Sequence, residues 1–120
     1  MTLADAGAVR VLVTTAPDEA TAARLARTLV EEKLAACVNV IPGVRSTYRW
    51  EGAVEEAAEC LLVLKTTADA ADAATARLVA LHPYDVPEAL LFTPQAGAAD
   101  YLAWVVGMVW NAGEAGKPPM

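Results

Sequence analysis

Apolar and polar positions change period several times along this chain, and each change marks an element. Val9 to Thr15 is a short β-branched run ending at Pro17 and reads as a first strand, with Asp18 placed to cap a helix after it. From Glu19 to Lys33 the apolar positions Ala22, Leu25, Ala26, Leu29 and Val30 recur at helical spacing while charged residues fall between them, which predicts an amphipathic helix packed on a sheet. Ala36 to Tyr48 reads as a long second strand. It is interrupted at Pro42-Gly43, where the ring removes a ladder donor and glycine permits a bulge. Trp50-Glu51-Gly52-Ala53 signals a turn, and Val54 to Thr67 supplies a third strand that is continuously apolar from Cys60 to Leu64, so a long hairpin is expected. Ala70 to Leu81 is an alanine-rich helix that Pro83 forbids from continuing past His82. Pro87 to Phe92 gives a fourth strand, and Asp100 opens a final helix running through Trp110.

The resulting order is βαββαβα. A helix joins the first two strands, so they run parallel, and the hairpin makes the third antiparallel to the second. This predicts an α+β class fold, a ferredoxin-like βαββαβ sandwich with a long central hairpin and a C-terminal helix. No repeat or linker divides the chain, so residues 1–112 are expected to form one domain and residues 113–120, rich in glycine and proline, a flexible tail. The last helix is apolar nearly all round, with Tyr101, Trp104 and Trp110 among its side chains. A chain of 120 residues can hardly cover such a surface alone, which predicts self-association.

Charge narrows the partners. A formal net charge of -6 with no local Lys/Arg cluster repels phosphate backbones, so nucleic acid is not expected to bind. The longest uncharged apolar stretch, Tyr101 to Trp110, falls well short of the roughly 20 residues needed to cross a bilayer. No membrane partner is expected, and with no secretory signal at the start a cytoplasmic location follows by default. Two cysteines, Cys37 and Cys60, are too few for a disulfide scaffold and are read as thiols.

One stretch is distinctive in its wording: Ala36-Cys37-Val38-Asn39-Val40-Ile41-Pro42-Gly43-Val44, continued by Ser46, Tyr48, Trp50, Glu51 and Gly52. Behind it stand Leu61 to Thr66, Leu81-His82-Pro83-Tyr84-Asp85-Val86-Pro87-Glu88 and Asp100-Tyr101-Leu102-Ala103-Trp104. From about Val11 to Val106 the chain resembles the CutA divalent-cation-tolerance family. That resemblance implies a homotrimer of ferredoxin-like subunits knitted together by their hairpins, a build shared with the PII signalling family. It also implies a part in tolerance of divalent metal ions, copper above all. Asp85 stands where the family more usually has glutamate, a shorter reach for any contact made there.

Cys37, Cys60 and His82 are the only thiol and imidazole side chains, the donors that copper and zinc favour. No CxxC, HxH or HExxH presets a pair of them. A hairpin turning at Glu51-Gly52 sets Cys60 opposite Gly43, roughly 20 Å along the ladder from Cys37, so the two thiols cannot share an ion within one chain. The same register sets Cys37 beside Lys65, whose ammonium favours a thiolate, and Cys37 is the better metal candidate. Its competing reading is a small buried apolar residue, which is the stronger reading for Cys60. His82 either joins a metal site with Asp85 and Glu88 or caps the last carbonyls of its helix. A second reading places a small metabolite between subunits against Lys65, Tyr84, Glu88 and Trp50, with Tyr48, Tyr101 and Trp104 as further stacking or interface rings. An enzyme is not expected, because one histidine and no nucleophile motif leave little acid–base chemistry.

Overall fold

The computed structural model describes residues 3–110. Its elements are β1 (Leu3–Asp5), β2 (Val9–Ala16), α1 (Glu19–Glu31), β3 (Cys37–Trp50), β4 (Ala53–Thr67), α2 (Ala71–Leu81), β5 (Leu90–Phe92), β6 (Ala96–Ala98) and α3 (Ala99–Met108). Four strands form one sheet in the order β3-β4-β2-β5, all neighbours antiparallel. The expected βαββαβ architecture with its split parallel pair is therefore present. The expected tail, residues 113–120, lies outside the described residues.

Side-chain alternation decides where the core sits. Leu12 and Thr14 on β2 oppose Leu64 and Leu62 on β4, Ala16 opposes Cys60, and all six are buried beneath the helices. Leu25 and Leu29 of α1 and Leu78 of α2 complete that core. Each such leucine removed from water contributes about 1.5–3 kcal/mol. The helices are tied to one another where α1 ends: Arg77 donates to both oxygens of Glu32 at 2.9 Å, a two-pronged ion pair that the amphipathic pattern did not reveal. Thr66 Oγ1 donates to the Leu34 carbonyl at 2.7 Å, satisfying a hydroxyl buried in the sheet.

The other face of the same sheet carries Val11, Val13, Leu61 and Val63, flanked by Ile41 on β3 and by Leu90 and Phe92 on β5. Ile41, Leu90 and Phe92 are about half exposed, because α3 covers only the Val9 end of this face, where Val105 and Val109 bury that residue. On α3, Val105 is buried while Tyr101, Trp104, Val106 and Met108 face outward.

The hairpin's geometry follows from two glycines. Glu51 and Gly52 both take positive φ, 49° and 80°, and form the two-residue turn whose twist matches the strands it joins. Near the turn, Trp50 opposes Ala53 and Val44 opposes Glu59; nearer the core, Ile41 opposes Leu61. The extra residue between these registers is a bulge at Pro42-Gly43, with Gly43 at φ 77°. It moves the even-numbered residues of the outer β3 onto the face that Cys37, Asn39 and Ile41 occupy lower down.

Two boundaries and one added pair of strands depart from the pattern-based expectation. The fourth strand starts at Leu90 rather than Pro87, because residues 82–89 form a loop packed across the end of the sheet instead of pairing. The last helix ends at Met108, Val109 being extended. β1 and β6 form a small two-stranded sheet, Leu3 opposite Ala98, that three-residue segments give no periodicity to announce.

Replacing Leu64 with alanine should lower the unfolding free energy by about 2–5 kcal/mol in denaturant titrations, the cost of a cavity between β2, β4 and the helices. Asp18 caps α1 by accepting from Thr21 N at 2.7 Å, and this hydrogen bond, with a smaller contribution from nearby Arg24, holds its carboxyl below the usual range. A lowered folded value means that the cap's contribution is complete above the ordinary carboxyl pKa and fades as pH falls through the depressed one. Asp18→Ala should therefore reduce the melting temperature at neutral pH, with the gap to the native protein narrowing below about pH 4.

Candidate functional site

The α2–β5 loop and the outer hairpin together enclose a groove of about 710 Å³. β3 contributes Ser46, Tyr48 and Trp50, β4 contributes Glu55 and Glu59, and the loop contributes Tyr84, Asp85 and Glu88. The strand residues share a face because Tyr48 opposes Glu55 and Val44 opposes Glu59 in the register that the turn sets. Trp50, Tyr84 and Glu88, three of the four residues expected to contact a small ligand, are thus brought together within one chain.

Lys65, the fourth, is elsewhere. It lies opposite Cys37 as the register required, its Nζ 3.6 Å from Cys37 Sγ and bonded to Asn39 Oδ1. This second cluster sits on the uncovered sheet face. Cys37 is partly exposed there, whereas Cys60 is buried in the core. Burial pushes the Cys60 thiol up, with Glu19 and Asp18 adding to the effect, so it behaves as an apolar core residue.

His82 does not cap the last carbonyls of α2 with its ring. Its Nε2 reaches the Thr15 carbonyl on β2 at 2.7 Å, and its Nδ1 accepts the Tyr84 backbone N–H at 3.1 Å. A carbonyl can only accept and an N–H can only donate, so the two partners define the Nε2–H tautomer and use both nitrogens. The Tyr84 ring packs on the imidazole, with centroids 4.7 Å apart. His82 therefore pins the loop to the sheet and aims Tyr84 into the groove.

Tyr84 then donates its hydroxyl to Glu59 Oε2 at 2.6 Å. Burial, followed by this hydrogen bond and the Glu59 charge, pushes the phenol's pKa well above its ordinary value near 10. Glu59 was not among the residues that sequence reasoning singled out. Register arithmetic from the Glu51-Gly52 turn was the available signal, since it sets Tyr48 against Glu55 and the acidic Glu59 four residues further along the same face.

Metal-donor geometry is sparse. Among the described residues no three His, Cys, Asp or Glu side chains are grouped to hold an ion. Asp85 and Glu88 line the groove, His82 stands behind it with both nitrogens engaged, and Cys37 belongs to the separate cluster with Lys65. One chain does not unite the four proposed metal contacts.

Known proteins share this fold. Residues 10–107 match the family model described as CutA1 divalent ion tolerance protein. A divalent-cation tolerance protein CutA from Thermus thermophilus is 47% identical over 95 residues, which cover 79% of this chain and 92% of the relative. The structure of CutA from Synechococcus elongatus complexed with a Bis-Tris molecule aligns with TM-score 0.83 at 37% identity, covering 90% of this chain and 100% of that one. A CutA from Archaeoglobus fulgidus, described as a periplasmic divalent cation tolerance protein, aligns with TM-score 0.82 at 32% identity over 85% of this chain and 99% of its own.

Tyr84→Phe leaves the buried Glu59 carboxylate without its hydroxyl donor and should cost about 1–3 kcal/mol of stability at neutral pH, read from denaturant midpoints. Because the folded phenol pKa is raised, the native protein's advantage is fully present below about pH 10 and declines only as pH climbs towards the elevated value.

Proposed function

The chain belongs to the CutA1 divalent ion tolerance protein family, and on that premise we propose that it acts as a homotrimer that binds copper-like divalent ions as cargo, in the cytoplasm, without catalysing a reaction. The observation that carries this reading is the uncovered apolar sheet face, on which Cys37 lies partly exposed. Apolar area of that extent, with Ile41, Leu90 and Phe92 at its margins, favours burial against further copies. β3 and β5 each keep one unpaired edge, and the outward face of α3 adds Tyr101 and Trp104 to the surface that assembly would bury.

Assembly also answers the sparse donor geometry. Within one chain the donors do not converge, so an ion bound at Cys37 takes its remaining ligands from other copies across the same face. Sulfur suits copper better than a hard ion, which is the reason for naming copper. Asp85 and Glu88 are the oxygen donors second in line. His82 follows them, because an ion at Nε2 has to displace the Thr15 carbonyl.

A second reading keeps the trimer and makes it regulatory, with a small metabolite held in the groove by Trp50, Tyr84 and Glu88, and with Lys65 supplied from the neighbouring subunit's edge. The groove's size and its three aromatic rings favour it. So does the Synechococcus relative in complex with Bis-Tris.

Two measurements test the first reading. Sedimentation velocity at micromolar concentration should show a species of three chains, and a folded lone subunit would overturn it. Calorimetric titration with Cu²⁺ should show binding that Cys37→Ala abolishes, while an unchanged isotherm in the variant would remove Cys37 from the site.

A further inference from the structure

We infer that the groove between the hairpin and the α2–β5 loop is a site for a small organic cation, an amine or quaternary ammonium, rather than for an anion or a bare metal ion. The inference rests on the second reading above and names the chemical class of its ligand.

The charge lining the groove has one sign. Glu55, Glu59, Asp85 and Glu88 contribute carboxylates, and among the described residues no lysine or arginine lines it. Lys65 is turned to Cys37 and Asn39. Arg45 and Arg49 oppose Ala58 and Val54, on the other face of the hairpin, where Arg45 pairs with Glu56 at 3.6 Å. Within one chain an anionic ligand would meet only like charge here, and a single Lys65 from a neighbouring subunit does not offset four carboxylates, whereas a cation is attracted by all of them.

Glu59 shows that the site is built for such a charge. It is nine-tenths buried, an unusual position for a carboxylate with which no basic side chain pairs among the described residues. Tyr84 satisfies Oε2, but Oε1 takes no hydrogen bond among the described residues. A cationic N–H or N–CH₃ group entering the groove supplies the missing opposite charge beside that oxygen.

The rings exclude the simplest cation. Tyr48, Trp50 and Tyr84 supply π-faces, which attract ammonium groups carrying apolar substituents. The carboxylates, in turn, are spread around about 710 Å³ and do not converge as a metal's oxygen shell demands. Space, rings and dispersed acids together match an amine with a carbon frame.

Calorimetry on the assembled native protein tests this with tetramethylammonium and putrescine as cationic probes, succinate and ADP as anionic ones, and Zn²⁺ alone. Saturable binding of at least one cationic probe is expected, weakened about tenfold by Trp50→Ala and similarly by Glu59→Gln, with Arg49→Ala unaffected. Trp50 is at the exposed hairpin end, and the amide oxygen introduced by Glu59→Gln still accepts from Tyr84, so both variants should keep the native melting profile. If an anionic probe binds and Trp50→Ala abolishes it, the groove remains a ligand site but the cation assignment is overturned. If only Zn²⁺ binds and Glu59→Gln removes it, the assignment to an organic ligand falls. If no probe binds the folded protein at millimolar concentration, the cation assignment and the metabolite reading fall together.

Discussion

A sheet with two apolar faces, one backed by two helices and the other reached by α3 only at its Val9 end, governs this molecule. α1 and α2 bury the side of β2 and β4 that carries Leu12, Leu62 and Leu64, and the leucines between these layers supply the single chain's core. The opposite side, built from Val11, Val13, Leu61 and Val63, has the composition of an interior and the position of a surface. Period-2 alternation cannot make one strand polar on that side without replacing these residues, so the proposed assembly would draw its driving force from the strands themselves. Cys37 stands on this face, and whatever chemistry its sulfur performs is inseparable from what covers the sheet.

The groove obeys a different constraint, the meeting of a rigid turn with a tethered loop. Two positive-φ residues fix the hairpin register and with it the row Ser46, Tyr48 and Trp50 above Glu55 and Glu59. The loop is held across this row by a relay in which each group has one role: Thr15 accepts from His82, His82 accepts from the Tyr84 backbone, and the Tyr84 hydroxyl reaches Glu59. The lone histidine thereby serves geometry, with no nitrogen left over.

The pattern of the chain disclosed the four strands of the main sheet, the helices and the bulge, because these follow from local spacing and from the special demands of proline and glycine. It also disclosed the Cys37–Lys65 contact, since counting back from Glu51-Gly52 suffices to pair them. The role of His82 was not legible. Its partner Thr15 is 67 positions away, and only the three-dimensional path of the α2–β5 loop brings them together. Glu59 escaped notice for a related reason: in the sequence it is one acid in the alanine- and glutamate-rich Val54–Glu59 stretch, and burial under Tyr84 alone distinguishes it. Lys65, expected at a cleft between subunits, lies opposite Cys37 within its own chain and apart from that chain's groove.

The bulge at Pro42-Gly43 has a mechanical corollary. Below it, β3 is bound to a sheet backed by helices; beyond it, the face carrying Arg45, Thr47 and Arg49 is exposed and only the α2–β5 loop packs on the other, over Glu59. The arm from Gly43 to Glu51 is a lever roughly 25 Å long, so a ten-degree change in twist at the irregular step swings Trp50 through about 4 Å while the core stays still. Aperture of the groove and posture of the arm are then one and the same coordinate, and a molecule lodged against Trp50 pulls on the pivot as surely as on the rings.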